Sequence, residues 1–201
     1  METGTVKFHY ECDGVELTPF AAFEELNAAR RELARMGLLG VDENGIGFGN
    51  VSARDGADNS FYVTGSGTGG LSDLGLEHYA KVTAWDFDRN WLHCQGRTIP
   101  SAESLSHAAV YATAADVRAV AHGHDPALWH WLCERGSVTA AHVAYGTPEM
   151  AREVMRLFLA GNVRQTRIFA MAGHIDGIVA FGSDLRQVIN TLTTARNRAR
   201  P

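Results

Sequence analysis

In the stretch AHGHDP, Ala121 to Pro126, two histidines stand one residue apart before an Asp-Pro pair. Side chains of an extended strand alternate faces, so His122 and His124 project to the same side while Gly123 leaves the opposite face clear. Two imidazoles placed that way come within reach of one ion. A catalytic zinc takes three protein ligands and keeps one position open, so a third ligand has to come from elsewhere in the chain. His107, His130, His142 and His174 are the candidates. His174 follows the apolar run IFAMAG at a turn, where a buried strand could deliver it to the same edge; on spacing alone it stands only slightly ahead of His142. Polar strand ends, or residues that support a site from behind, explain an HxH pair as well, because so short a pattern has many accidental matches.

A second group is the segment IPSAESLSH, where Glu103 is an isolated carboxylate among small and hydroxyl residues at the start of a helix. A glutamate there is favoured by the helix dipole without any catalytic role. If it faces a metal instead, burial could raise its pKa into the range of a useful general base. The glycine-rich runs GFGN and TGSGTGG offer backbone N–H groups and hydroxyls that could cradle an anion such as phosphate. Neither matches a P-loop or a dinucleotide fingerprint, and ordinary turns account for both equally.

The elements that have to position these residues are legible from pattern. TPFAAFEELNAARRELARMG reads as a helix, with Thr18 as its cap, Pro19 in its first turn, Phe20, Phe23, Leu26 and Leu33 on one face, and Gly37 at its end. From Gly45 to Gly70 the texture changes to short strand-like runs separated by glycines. KVTAWDFDRNWLHCQG reads as two strands joined by a tight turn, SAESLSHAAVYATA as a helix, and VRAVAHGH as a strand. Asp125 and Pro126 open the helix ALWHWLCERG, and Thr147 caps TPEMAREVMRLFLAG. RIFAMAGHIDGIVAFG forms two buried strands around a turn, and a last helix closes the chain. Helices and strands interleave without repeat or linker, which predicts a single α/β domain over residues 1–201.

Bulk properties narrow the partners. With 18 basic against 23 acidic residues and a net charge of −5, the chain has no basic excess for a nucleic-acid backbone. Cys12, Cys94 and Cys133 are odd in number, widely spaced and in no CxxC pair, so neither a disulfide framework nor a thiolate metal site is expected. No apolar run approaches the roughly 20 residues that cross a bilayer, and the start lacks the apolar segment of a signal peptide. A reducing cytoplasm is the expected location.

Six segments, taken together and in this order, resemble the class II aldolase/adducin family: GNVSAR (Gly49 to Arg54), FYVTGSG (Phe61 to Gly67), PSAESLSH (Pro100 to His107), AHGH (Ala121 to His124), YGTPEMA (Tyr145 to Ala151) and GHIDGIVAFG (Gly173 to Gly182). The resemblance implies a three-layer α/β/α fold around a mostly antiparallel sheet. It further implies a homotetramer of fourfold symmetry with active sites between adjacent subunits. His122, His124 and His174 match the family's metal ligands, for one divalent ion per subunit, zinc being the expected species. Glu103 matches the catalytic acid/base. Asn50, Gly65 and Ser101 match positions that hold a substrate phosphate or line its pocket, with Ser66 beside them, and His107 matches a recurrent histidine expected to be structural. The implied activity is reversible aldol cleavage of a ketose or ketose phosphate through a zinc-stabilised enediolate.

This chain departs from the family pattern in places. Ala102 stands where a second serine is usual, which removes a hydroxyl from the phosphate site. Tyrosines that protonate the departing aldehyde in family aldolases have no counterpart here except Tyr145. Relatives on the same metal scaffold work as epimerases, dehydratases or decarboxylases of sugar phosphates and phosphorylated keto acids. Glu103, where epimerases tend to carry aspartate, favours the other reactions. A non-catalytic adducin-like binding module lacks the metal histidines, and the set His122, His124 and His174 argues against it.

Overall fold

Several strands are buried on both faces, and a strand of that kind needs cover on both sides. Strands β4 (Asn50–Arg54), β5 (Phe61–Thr64) and β10 (Gly177–Gly182) are buried along their whole length, and β8 (Ala119–His124) is buried in all but its last residue. They occupy the middle of an eight-stranded sheet completed by β1 (His9–Asp13), β6 (Tyr79–Asp86), β7 (Trp91–Gln95) and β9 (Ile168–Ala170). The order across the sheet is β1-β7-β6-β5-β4-β8-β10-β9. Only β1 and β7 run parallel; every other neighbouring pair is antiparallel. Strands β2 (Gly40–Val41) and β3 (Gly47–Phe48) form a separate small hairpin. This architecture comes from a computed structural model that describes residues 5–56 and 58–200.

Side-chain alternation divides the core in two. Val63, Val82, Val120 and Val179 face one layer with helices α2 (Ser104–Thr113) and α4 (Pro148–Ala160). Val51, Ala121, Ile178 and Ala180 face the other, with α1 (Phe23–Arg35), α3 (Pro126–Arg135) and α6 (Leu185–Ala199). Each fully buried valine or leucine contributes roughly 1.5–3 kcal/mol. The result is the three-layer α/β/α fold around a mostly antiparallel sheet.

The expected caps at two helices form. Asp125 Oδ1 accepts from the Leu128 N–H at 2.9 Å and Thr147 Oγ1 from the Met150 N–H at 3.3 Å; such caps stabilise by about 1 kcal/mol. Asp125, mostly buried, also meets Arg196 of α6 at 2.6 Å, which ties down the point where β8 becomes α3. Gly37 ends α1 in the left-handed region at φ +74°.

The start of α1 differs from expectation. The helix begins at Phe23 with Ala22 in the capping position and no side-chain cap, so Thr18 caps nothing. Phe20 is the physical reason: its ring stacks flat on Tyr62 with centroids 3.6 Å apart and meets Phe23 and Tyr79 edge-on. That contact holds Phe20 against the sheet, and a turn closed by the Phe23 N–H on Phe20 O at 3.0 Å leads from it into the helix. Strand β1 and the short helix α5 (Val163–Thr166) were not foreseen. All five residues of β1 are exposed, which leaves no alternating pattern to read.

Candidate metal centre and substrate pocket

Strand β8 sits between β4 and β10, with His122 opposite Asn50 on one side and Val179 on the other. Its alternation sends His122 and His124 toward the layer of α2 and α4. Gly123 faces the other way, against the chain just after α1: a Cβ there would lie 2.8 Å from the Leu38 carbonyl oxygen. The same carbonyl accepts from the His124 N–H at 3.0 Å. Glycine is therefore what lets the backbone approach closely enough to be held.

His174 comes from the turn between β9 and β10. Its N–H donates to Met171 O and its carbonyl accepts from the Gly177 N–H, each at 2.9 Å. Among the described residues, the ligand atoms of His122, His124 and His174 all lie within 4.8 Å of one another. The Nε2 atoms of His124 and His174 are 2.9 Å apart. His122 Nδ1 lies 3.1 Å from Ile178 O; a carbonyl only accepts, so Nδ1 carries the proton and Nε2 presents its lone pair.

Electrostatics favour the ligand form of all three. Burial pushes the His122 pKa well below the usual histidine range, and His124 and His174 push it further. Burial lowers His124 to about 4 and His174 to about 3. The three rings are thus neutral at pH 7, with convergent ring nitrogens able to supply the donor set a divalent cation requires. The residues present fit a metal.

Glu103 lies in the same pocket, at the residue before α2, with 2% of its surface exposed. Its side chain makes no cap bond to the helix. Ser106 Oγ donates to Oε2 at 2.6 Å, whereas Oε1 is buried with no hydrogen-bond partner among the described residues. Burial pushes the carboxyl up to about 7 against the opposing Ser106 bond and the charge of Lys7. A buried carboxylate oxygen without a partner, in a residue that lines the pocket, is a group able to take a proton.

Asn50, Gly65, Ser66, Ser101 and Tyr145 line this pocket as well. Asn50 is buried, and its Oδ1 has no partner among the described residues. The Tyr145 ring centroid is 4.5 Å from that of His174. Gly65 packs so close to Thr98 that a side chain at 65 would overlap it.

The other histidines lie elsewhere. His107 is fully buried, with Nδ1 2.7 Å from Ser52 Oγ, which in turn meets Tyr111 Oη at 2.8 Å. His130 is exposed beside Glu134, and His142 is exposed.

Sequence reasoning marked the runs GFGN and TGSGTGG without singling out three of their residues in the pocket wall, and it missed Lys7. Thr68 and Gly69 line the pocket, and Phe48 does so with its ring centroid 5.3 Å from that of His124. Lys7 places its Nζ 3.5 Å from the centroid of the Tyr145 ring. No signal near Lys7 could have revealed this, because the contact joins the chain start to a residue far along it. The glycine spacing of TGSGTGG did mark the loop that carries Thr68 and Gly69.

Solved structures with this architecture include an L-fuculose 1-phosphate aldolase, 21% identical, with a TM-score of 0.68 over 92% of this chain and 86% of that one. The L-fuculose-1-phosphate aldolase from Thermus thermophilus is 22% identical, with a TM-score of 0.64 over 88% of this chain and 90% of that one. YgbL from Escherichia coli, described as a candidate aldolase/epimerase/decarboxylase, is 21% identical, with a TM-score of 0.65 over 88% and 85%. At these identities the likeness concerns the fold. No curated protein matches the chain. Residues 24–200 match the family model for the Class II Aldolase and Adducin N-terminal domain, and the chain therefore belongs to the class II aldolase/adducin family.

Proposed function

We propose that the chain is a single class II aldolase/adducin-like domain acting as a metal-dependent lyase, which reversibly cleaves a ketose or ketose phosphate between two carbons. The observation that carries this reading is the meeting of three neutral histidines and one buried carboxylate in a single pocket. A binding module has no use for such a set, because burying it costs stability. The L-fuculose 1-phosphate aldolases among the similar folds agree with it.

His122, His124 and His174 would hold the ion, and zinc suits three imidazoles with one open position. When bound, the ion supplies Lewis acidity to the carbonyl and adjacent hydroxyl oxygens of a ketose, where negative charge develops as the carbon–carbon bond breaks. Glu103, ionised and open at Oε1, takes or returns the proton at the reacting carbon, a role that typically contributes ~10²–10⁴-fold in rate. The Ser106 hydroxyl holds the other oxygen and fixes the direction of the lone pairs. Asn50, Gly65, Ser66 and Ser101 would orient the substrate and receive its phosphate. Tyr145, beside His174, is the candidate acid for the aldehyde oxygen in the condensing direction, its phenolate taking the same hydroxyl proton as the aldehyde departs in cleavage.

The pocket is partly open to solvent, with His124 at its edge only part-buried, which leaves room for an adjacent subunit to complete the site in a homotetramer. No helix among the described residues is long and apolar enough to cross a membrane, and we assign the enzyme to the cytoplasm.

The test is a panel of free and phosphorylated ketoses, assayed for metal-dependent aldehyde release and accompanied by metal analysis. Aldehyde release is expected. An isomerised product, lost water or lost carbon dioxide would reassign the chain to epimerase, dehydratase or decarboxylase. Protein without stoichiometric divalent metal, unchanged by His122→Ala, would leave the adducin-like binding module.

A further inference from the structure

Helix α1 carries an arginine on the stripe that faces the core. Arg30 lies four residues after Leu26 and three before Leu33, so the three share a helix face; Arg30 is as buried as they are, with 1% of its surface exposed. Its guanidinium donates to three backbone carbonyls instead of a carboxylate. Nη1 reaches Ser72 O at 3.1 Å, and Nη2 reaches Thr68 O at 2.6 Å and Gly69 O at 3.3 Å. Thr68 and Gly69 line the pocket that holds Glu103 and the three histidines.

A leucine or methionine would fill the same space without desolvating a charge, so packing alone does not account for the arginine. A guanidinium adds a rigid fork of donors. A planar trans peptide points its C=O and N–H in opposite directions. Drawing the Thr68 and Gly69 carbonyls toward Arg30 therefore turns the N–H groups of Gly69 and Gly70 away from it. The loop is confined from the other side too: Gly67 is held at φ +76°, and Gly69 lies so close to the Gly40 carbonyl that any side chain at 69 would overlap it.

We propose that Arg30 is a positioning residue for the substrate, fixing the Gly65–Gly70 loop in the shape that receives the substrate's anionic end and setting a buried positive charge behind it. The proposal rests on reading that loop as the anion-binding wall of the pocket. It offers a physical route by which an anionic substrate is held without the hydroxyl that is missing at Ala102.

The test titrates the full-length, metal-loaded protein with inorganic phosphate and compares it with R30M and R30K, with metal content and melting temperature recorded alongside. Phosphate affinity is expected to fall about tenfold or more in R30M, a difference of about 1.4 kcal/mol, and by a smaller factor in R30K, which keeps the charge and loses the fork. Metal stoichiometry is expected to hold in both. Wild-type affinity in R30M overturns the positioning role while leaving the anion-binding loop intact. If R30M fails to fold, R30K decides alone: wild-type affinity there overturns the role, and a loss supports it. If the wild-type protein does not bind phosphate, the loop reading fails and the proposal with it. A merely structural arginine would lower the melting temperature and leave phosphate affinity where it was.

Discussion

His124 and His174 face each other nitrogen to nitrogen: their Nε2 atoms stand 2.9 Å apart, one at the end of β8 and the other in the turn before β10. Two imidazole nitrogens can share that distance only if one carries a proton and donates it to the other's lone pair. A cation offers both lone pairs a better partner. It also links two segments 50 residues apart in the chain.

Metal loading is therefore expected to stabilise the fold, and His174→Ala is expected to remove both the metal and the effect. At a free metal concentration of 100 times Kd, binding to the native state alone adds about 2.7 kcal/mol. For a chain of this size that is roughly 5–10 °C in melting temperature. Thermal unfolding with and without added zinc checks it, and an equal zinc-induced rise in His174→Ala would remove His174 from the site.

His107 gives the metal-free protein an acid-sensitive core. Its pKa falls from 6.5 to about 3 through burial. Above pH 6.5 both folded and unfolded states carry it neutral. As pH falls from 6.5 toward 3, only the unfolded state takes the proton, so stability declines by up to about 1.4 kcal/mol per pH unit from this residue alone. The expected result for His107→Asn is a shallower decline by that slope, read from denaturant unfolding at several pH values between 7 and 4.

Glu103 makes the opposite contribution. Its carboxyl, ordinarily at 4.5, is pushed up to about 7 in the folded metal-free protein. Between those values the unfolded state ionises while the native state keeps its proton, so stability is lost as pH rises from 4.5 to 7. Glu103→Gln abolishes that loss and is expected to be more stable than wild type at pH 8 by roughly 3 kcal/mol. The same substitution should end proton exchange at the substrate carbon while retaining metal. A base must be ionised, so wild-type kcat/KM should rise with pH through about 7 and level off roughly one unit above it, with a bound cation moving the limb lower. Turnover that survives in Glu103→Gln would take this residue out of the mechanism.

Gly123 links packing to the three histidines. A Cβ at 2.8 Å from the Leu38 carbonyl oxygen meets backbone rather than a mobile side chain. Gly123→Ala must therefore push β8 or residues 38–39 aside, which costs about 1–3 kcal/mol, and the strand that moves carries two of the three histidines. Lower melting temperature together with weaker zinc binding is the expected pair of results. Loss of stability with undiminished zinc affinity would show that the histidines adjust independently of the strand.

Much of the site was legible because it depends on local rules. Strand alternation put His122 and His124 on one face, and the Asp125 and Thr147 caps followed from residue type. The choice of His174 over His142 depended on how the turn at residues 171–177 folds back beside β8, which spacing cannot specify. Strand β1 pairs in parallel at an exposed edge with β7, more than 80 residues away, and its residues carry no apolar period. Thr18 failed as a cap because Phe20 has a better partner in Tyr62. Arg30 left a readable trace, a charge on the Leu26–Leu33 stripe; an arginine in an amphipathic helix passes for surface charge until its burial is seen.

Ala102 is the residue through which substrate class can be tested. It is buried, lines the pocket and directly precedes Glu103. A serine hydroxyl there could donate to an anionic oxygen, and such bonds contribute roughly 1.5–3 kcal/mol, about tenfold or more in affinity. Ala102→Ser is therefore expected to lower KM for a phosphorylated ketose by at least tenfold and to leave the free ketose nearly unchanged. Steady-state kinetics on a matched pair of the two substrates reads the difference directly. An equal improvement with both substrates would mean that position 102 meets a part they share and not the phosphate. A variant that improves neither would favour an unphosphorylated substrate, whose neutral hydroxyls gain little from one more donor in a wall that already offers Ser66, Ser101 and Asn50.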